Sequence, residues 1–152
     1  MKEQPRIRID DVNKIRILVC HLLYSIGCPL NRDQLIEITS LEQAVNYFDL
    51  MEALDGITGR LCTCQEVNGI PVYSNTRLGD AAAREFGSEL PQSIREKMFE
   101  EAVKVYTRDE IKKDSLVSVR YAEHENGTCT IGVTIKSEKT GRQKYYLTIS
   151  VA

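Results

Sequence analysis

At 152 residues and 17.2 kDa, with 42% hydrophobic and 28% charged residues, the chain has the makeup of one ordinary domain or two small ones that share a core, which excludes a disordered or collagen-like polymer. Its longest uninterrupted apolar run, Ile17 to Cys20, is far short of the ~20 residues a bilayer requires, so no membrane segment is expected. Lys and Arg number 20 against 22 Asp and Glu, a net charge of −2 that offers no global pull toward nucleic acid, and the acid is concentrated before Gly56 while the segment from Ser115 onward is basic.

Val12, Ile15, Leu18, Val19, Leu22, Leu23 and Ile26 recur at spacings of three and four, one apolar stripe on a helix that Asp10 or Asp11 can cap and Gly27 can end. Cys28-Pro29-Leu30 is an extended connector. Asn31, with Gln34 three positions on, is a capping pair for a short second helix carrying Leu35, Ile36 and Ile38. Leu41 to Ile57 is helical by pattern with a break near Val45-Asn46, where Asn46 starts a third helix and Asp49 complements its positive end. Leu50, Leu54 and Ile57, with Phe48 and Met51, form its buried side, and Asp49, Glu52, Ala53 and Gly56 its exposed one.

After Gly59-Arg60 the period becomes alternating, and Asn68-Gly69 between Leu61–Val67 and Ile70–Ser74 signals a β-hairpin. Asn75 or Thr76 caps a fourth helix through Phe86. Pro91 opens a fifth with Ile94, Met98, Ala102, Val103 and Tyr106 on one face, after which the helices end and the charged stretch from Thr107 to Asp114 is the best candidate boundary. Three alternating runs follow: Val117, Val119 and Tyr121; Cys129, Ile131, Val133 and Ile135; Tyr145, Leu147, Ile149 and Val151. The turns between them, Asn126-Gly127 and Lys139-Thr140-Gly141, make a three-stranded antiparallel β-meander with one apolar face. The expected fold is α+β, with a first domain at residues 1–87 and a helix plus sheet at 88–152. The sheet needs cover, from the fifth helix or from a second subunit, so a homodimer is expected.

Three helices, a hairpin and a helix leaving it is the order of a winged helix-turn-helix. Pro29 to Leu35 resembles the start of the second helix in such domains, Asn46 to Leu61 resembles a recognition helix running into the first wing strand, and Asn75-Thr76-Arg77-Leu78-Gly79 resembles the step that follows the wing. From Val12 to its end the chain is similar to a bacterial winged-helix family of unknown function. Element order and the resemblance together lead to the expectation of a DNA-binding transcriptional regulator, since the family itself has no settled biochemistry to carry over. Asn46, Tyr47, Arg60 and Arg77 would touch DNA, with Arg32 and the extended arm Arg6-Ile7-Arg8-Ile9 on phosphates.

The charges pull the other way. Leu41 to Gly56 holds Glu42, Asp49, Glu52 and Asp55 and no Lys or Arg, whereas cations against phosphate supply most of the affinity of a DNA reader. The alternative is a winged-helix module whose acidic third helix meets a basic protein partner.

Other chemistry finds little support. Cys62 and Cys64, two apart on a strand, share a face, but a closed zinc site wants four ligands and His21 and His124 lie elsewhere. Cys20, Cys28 and Cys129 read as small core residues, and His21 as a helix residue with a satisfied ring. No nucleophile–base motif or Gly-rich phosphate loop is present, so neither an enzyme nor a cofactor is expected. Met1 to Pro5 leads into alternating charge rather than an apolar signal, and five cysteines in no paired framework fit the reducing cytoplasm.

Overall fold

Asp11 opens α1, Val12–Ile26, by accepting from the Asn13 N–H at 2.9 Å, and Gly27 closes it in the left-handed conformation, φ 71°, while donating to the Leu23 carbonyl. The computed structural model describes residues 8–113, 115–137 and 142–151. Within α1 the predicted stripe is the centre of the core: Ile15, Leu18, Val19 and Leu22 are wholly buried.

A two-residue strand β1, Leu30–Asn31, leads into α2, Arg32–Thr39. Its capping box is formed as the sequence suggests. Asn31 Oδ1 accepts from the Gln34 N–H at 2.8 Å, and Gln34 Oε1 accepts from the Asn31 N–H at 2.9 Å. The pattern that continues from Leu41 is interrupted, because a 3-10 turn at Leu41–Gln43 places Glu42 and Gln43 at φ 53° and 59°. Asn46 then caps α3, Tyr47–Ile57, accepting from the Phe48 N–H at 2.8 Å.

Strands β2, Cys62–Val67, and β3, Ile70–Asn75, form the hairpin, with Asn68 at φ 52° and Gly69 at φ 81° as the type I′ pair demands. The sheet has a third member that alternation cannot reveal in so short a segment. The connector strand β1 pairs antiparallel with β3, Leu30 opposite Tyr73, giving the order β1-β3-β2. Thr76 caps α4, Arg77–Phe86, and a 3-10 turn at Gly87–Glu89 leads to α5, Gln92–Lys113.

Three burial expectations are corrected. Phe48, placed on the inner side of α3, is 77% exposed, while Ala53, placed outside, is fully buried. Ala53 is three and four positions from Leu50 and Ile57, which fixes the inner stripe of α3, whereas Phe48 stands two from Leu50 and so about 160° around the helix from it. On α5 it is Val105 that joins Ile94, Met98 and Ala102 in the core; Val103 is 42% exposed. That helix also continues seven residues beyond Tyr106, through a charged segment with Lys113 Nζ 3.3 Å from Glu110 Oε1.

The chain divides into two compact units between Tyr106 and Thr107, so the core residues of α5 belong with the amino-terminal helices rather than with the segment that follows Gly87. In the amino-terminal unit Leu18, Leu22, Leu35, Leu50, Leu54, Ile57, Leu90 and Met98 are almost completely buried, each contributing about 1.5–3 kcal/mol of burial free energy. In the other unit β4, Ser115–Glu123, β5, Cys129–Ser137, and β6, Gln143–Val151, pair antiparallel in the order β4-β5-β6. The register sets Val119, Val133 and Leu147 in one row and Tyr121, Ile131 and Ile149 in the next. Arg6 and Ile7 and the turn at 138–141 lie outside the described residues, as do the side chains of Tyr145 and Tyr146.

Candidate interface around the third helix

The amino end of α3 projects two exposed aromatic rings. Tyr47 is 50% and Phe48 77% exposed, and the rings meet edge to face with centroids 5.4 Å apart at 80°. Asn46, which caps the helix, has its Oδ1 committed to the Phe48 N–H, so its amide NH₂ is the group it has to offer a partner. Further along the same helix Glu52, Asp55 and Gly56 are exposed and Asp49 half-buried. No Lys or Arg occurs between Arg32 and Arg60, nor between Arg60 and Arg77, so the helix and the hairpin are both without cations of their own.

The expected basic contacts fall at separate places. Arg60 lies in the turn after α3 and Arg77 is the first residue of α4; Thr76 joins them, its hydroxyl donating to the Arg60 carbonyl at 2.7 Å and to the Leu61 carbonyl at 3.0 Å. Tyr47 is at the other end of α3, roughly 15 Å from Ile57 by the helical rise. Arg32 stands at the start of α2, with Nε 3.7 Å from Asp33 Oδ1, an exposed pair that contributes little to stability. Its charge reaches Tyr73 on β3, where it opposes a phenol pKa raised first by burial and then by Cys64. Thus Arg60 and Arg77 are brought together, Asn46 and Tyr47 are brought together, and Arg32 stands with the hairpin. Arg8 is exposed beside Ile9, which is buried and donates its N–H to the Ala44 carbonyl at 2.7 Å.

Residues 15–152 match a family described as Domain of unknown function (DUF4364). The chain belongs to the DUF4364 family. No curated protein and no solved structure matches it.

Two features of this DUF4364 chain escape a reading by pattern. Phe48 sits among apolar neighbours in sequence and is assigned inward by type, although its angular position could have flagged it. Arg16, on α1, lays its guanidinium against the backbone of α3 at Gly56, where a Cβ would stand 2.6 Å from Arg16 Nε. A glycine inside an otherwise helical pattern is the signal for such an approach.

Cys62 lies within electrostatic reach of both Cys20 and Cys64. Cys20 and Cys62 are buried, Cys64 is exposed, and Cys28 and Cys129, read as core residues, are half-buried. Burial, with smaller contributions from Cys62 and Asp80, pushes the Cys20 thiol up to about 12, where it is inert at neutral pH. The His21 ring has Ser25 Oγ 3.4 Å from Nε2, and its pKa is lowered by burial and then by the charge of Arg95. Among the described residues no three of His, Cys, Asp and Glu are grouped to hold a metal ion, and no helix is long and apolar enough to cross a membrane.

Proposed function

We propose that this DUF4364 chain is a DNA-binding transcriptional regulator: its amino-terminal unit is a winged helix-turn-helix, and its carboxy-terminal strands are a meander that supports a homodimer. The observation that carries the reading is the outward display of Asn46, Tyr47 and Phe48 at the start of α3, beside a capped α2 and a type I′ hairpin. A recognition helix meets base edges with its amino-terminal residues, and a phenyl ring can pack on a thymine methyl group. Arg32 at the start of α2, and Arg60 with Arg77 at the base of the hairpin, are the phosphate contacts, with Arg8 on the arm. Glu52 and Asp55 would accept from cytosine amino groups.

With about four phosphate contacts per protomer, the log–log dependence of affinity on salt should have a slope of about −4 per protomer or shallower. Selection from a random duplex library at low salt, followed by titration at physiological salt, tests the proposal. Enrichment of a two-fold symmetric sequence supports it; no enrichment by the dimeric protein overturns it.

The uninterrupted absence of Lys and Arg from Asp33 to Gly59 favours a second reading, in which the same rings and carboxylates receive a basic protein partner. Capture from the native host after nuclease treatment separates the two. Recovery of a basic protein that is lost on Phe48→Ser supports this reading, and recovery of nucleic acid alone rejects it.

A further inference from the structure

Behind the carboxy-terminal end of α3 lies a cavity of about 500 Å³, between α1, α3 and α4, in the size range of small-molecule sites. Its lining is mixed: Ile17, Leu61 and Phe86 supply apolar surface, and two guanidinium groups, Arg16 and Arg60, border it. Arg16 is held by one contact, Nη1 donating to Asn13 Oδ1 at 3.0 Å, while its Nε is fully buried and has no hydrogen-bond acceptor. A fully buried atom cannot meet a ligand, so what Arg16 can offer the cavity is its Nη groups. Gly56 makes the arrangement feasible, since any β-carbon there would displace the Arg16 guanidinium. Glu89 is the acid at the border, so the three charged groups leave a single positive charge.

We infer that this cavity is a binding site for a small amphipathic carboxylate, its carboxylate accepting from Arg16 and Arg60 and its apolar body lying on Ile17, Leu61 and Phe86. The planar fork of arginine suits a carboxylate, and the single net charge favours a monoanion over a phosphate dianion. The inference does not depend on DNA binding. Should that reading also hold, occupancy would draw Arg60 away from phosphate and make the site an effector pocket.

The test is a titration of the full chain with octanoate, followed by the ¹⁵N–¹H resonance of Arg16 Nε, with octanol and inorganic phosphate as comparison probes and no DNA present. Octanoate should shift that resonance saturably and bind at least about tenfold more tightly than either comparison probe, as expected for a charge-assisted contact. Arg16→Gln and Gly56→Ala should each weaken octanoate by about tenfold, and Arg95→Gln, in a different cleft, should leave it unchanged. Gly56→Ala retains Arg16 and raises helix propensity, so lost affinity in that variant reports displacement of the guanidinium rather than unfolding. An unmoved Arg16 resonance, equal binding of octanol, or octanoate affinity unaffected by both Arg16→Gln and Gly56→Ala overturns the inference.

Discussion

The hydroxyl of Thr76 donates to the main-chain carbonyl of Arg60 at 2.7 Å and, as the cap of α4, accepts from the Gly79 N–H at 3.3 Å. One side chain thereby ties the start of α4 to the turn that ends α3. Thr76→Ala removes the cap and the hydroxyl that donates to the Arg60 carbonyl, while the Leu61 carbonyl keeps the residue 76 N–H, so it should lower stability by about 1–2 kcal/mol, read as a fall in the urea midpoint at unchanged slope.

Gly79→Ala should destabilise although it replaces a helical glycine. On an open helix the change would stabilise by about 1 kcal/mol. Here the added carbon would collide with the Leu61 carbonyl and stand 2.8 Å from Asn75 Oδ1, while Asn75 Nδ2 donates to the Cys20 carbonyl at 2.8 Å. A net loss of about 1–3 kcal/mol in chemical denaturation is expected from such overpacking; a gain would show that the hairpin yields freely.

Phe48→Ser should leave the thermal midpoint nearly where it is, because an exposed ring contributes within about 0.5 kcal/mol. The same change should weaken whichever partner α3 receives, by roughly tenfold for the loss of an aromatic anchor of about 1.4 kcal/mol. A parallel fall in stability and affinity would instead make Phe48 a packing residue.

His21 gives the fold an acid sensitivity with a definite sign. Its pKa lies below the ordinary 6.5 because burial, and then Arg95, disfavour the imidazolium, so the unfolded chain takes up the proton at higher pH than the folded one. The contribution to stability is complete above pH 6.5 and is lost as pH falls through the folded pKa. Urea midpoints measured from pH 7.5 down to pH 4.5 should therefore drop less for His21→Gln than for the parent chain.

Thiol labelling should follow exposure and thiolate character. Cys64 is exposed, whereas Cys20 is buried with its pKa pushed up to about 12. Brief treatment of the folded chain with iodoacetamide should modify Cys64 first and spare Cys20 until denaturant is added, as peptide mass mapping would record.

Much of this architecture was legible without coordinates because its determinants are local. Asn31 with Gln34, Asn46, Thr76, Gly27 and the Asn68-Gly69 pair act on backbone groups within four residues, so their chemistry alone sets where helices start, where they stop and where the hairpin turns. The apolar stripe of α1 likewise follows from spacing, and the alternation after Leu116 yields a sheet in chain order. What required the tertiary structure was every contact between segments distant in sequence. The pairing of β1 with β3 rests on hydrogen bonds that Leu30 and Asn31 make 41 to 43 residues away, and two residues carry no period to announce them. The exposure of Phe48 and burial of Ala53, by contrast, follow from their angular positions on α3, which residue type does not encode but spacing does. The seating of Arg16 on Gly56 depends on two helices 40 residues apart in the chain meeting at a glycine, where the missing β-carbon leaves room for a guanidinium. Local chemistry decides the elements; which of them meet, and which cavity lies between them, is decided by long-range packing.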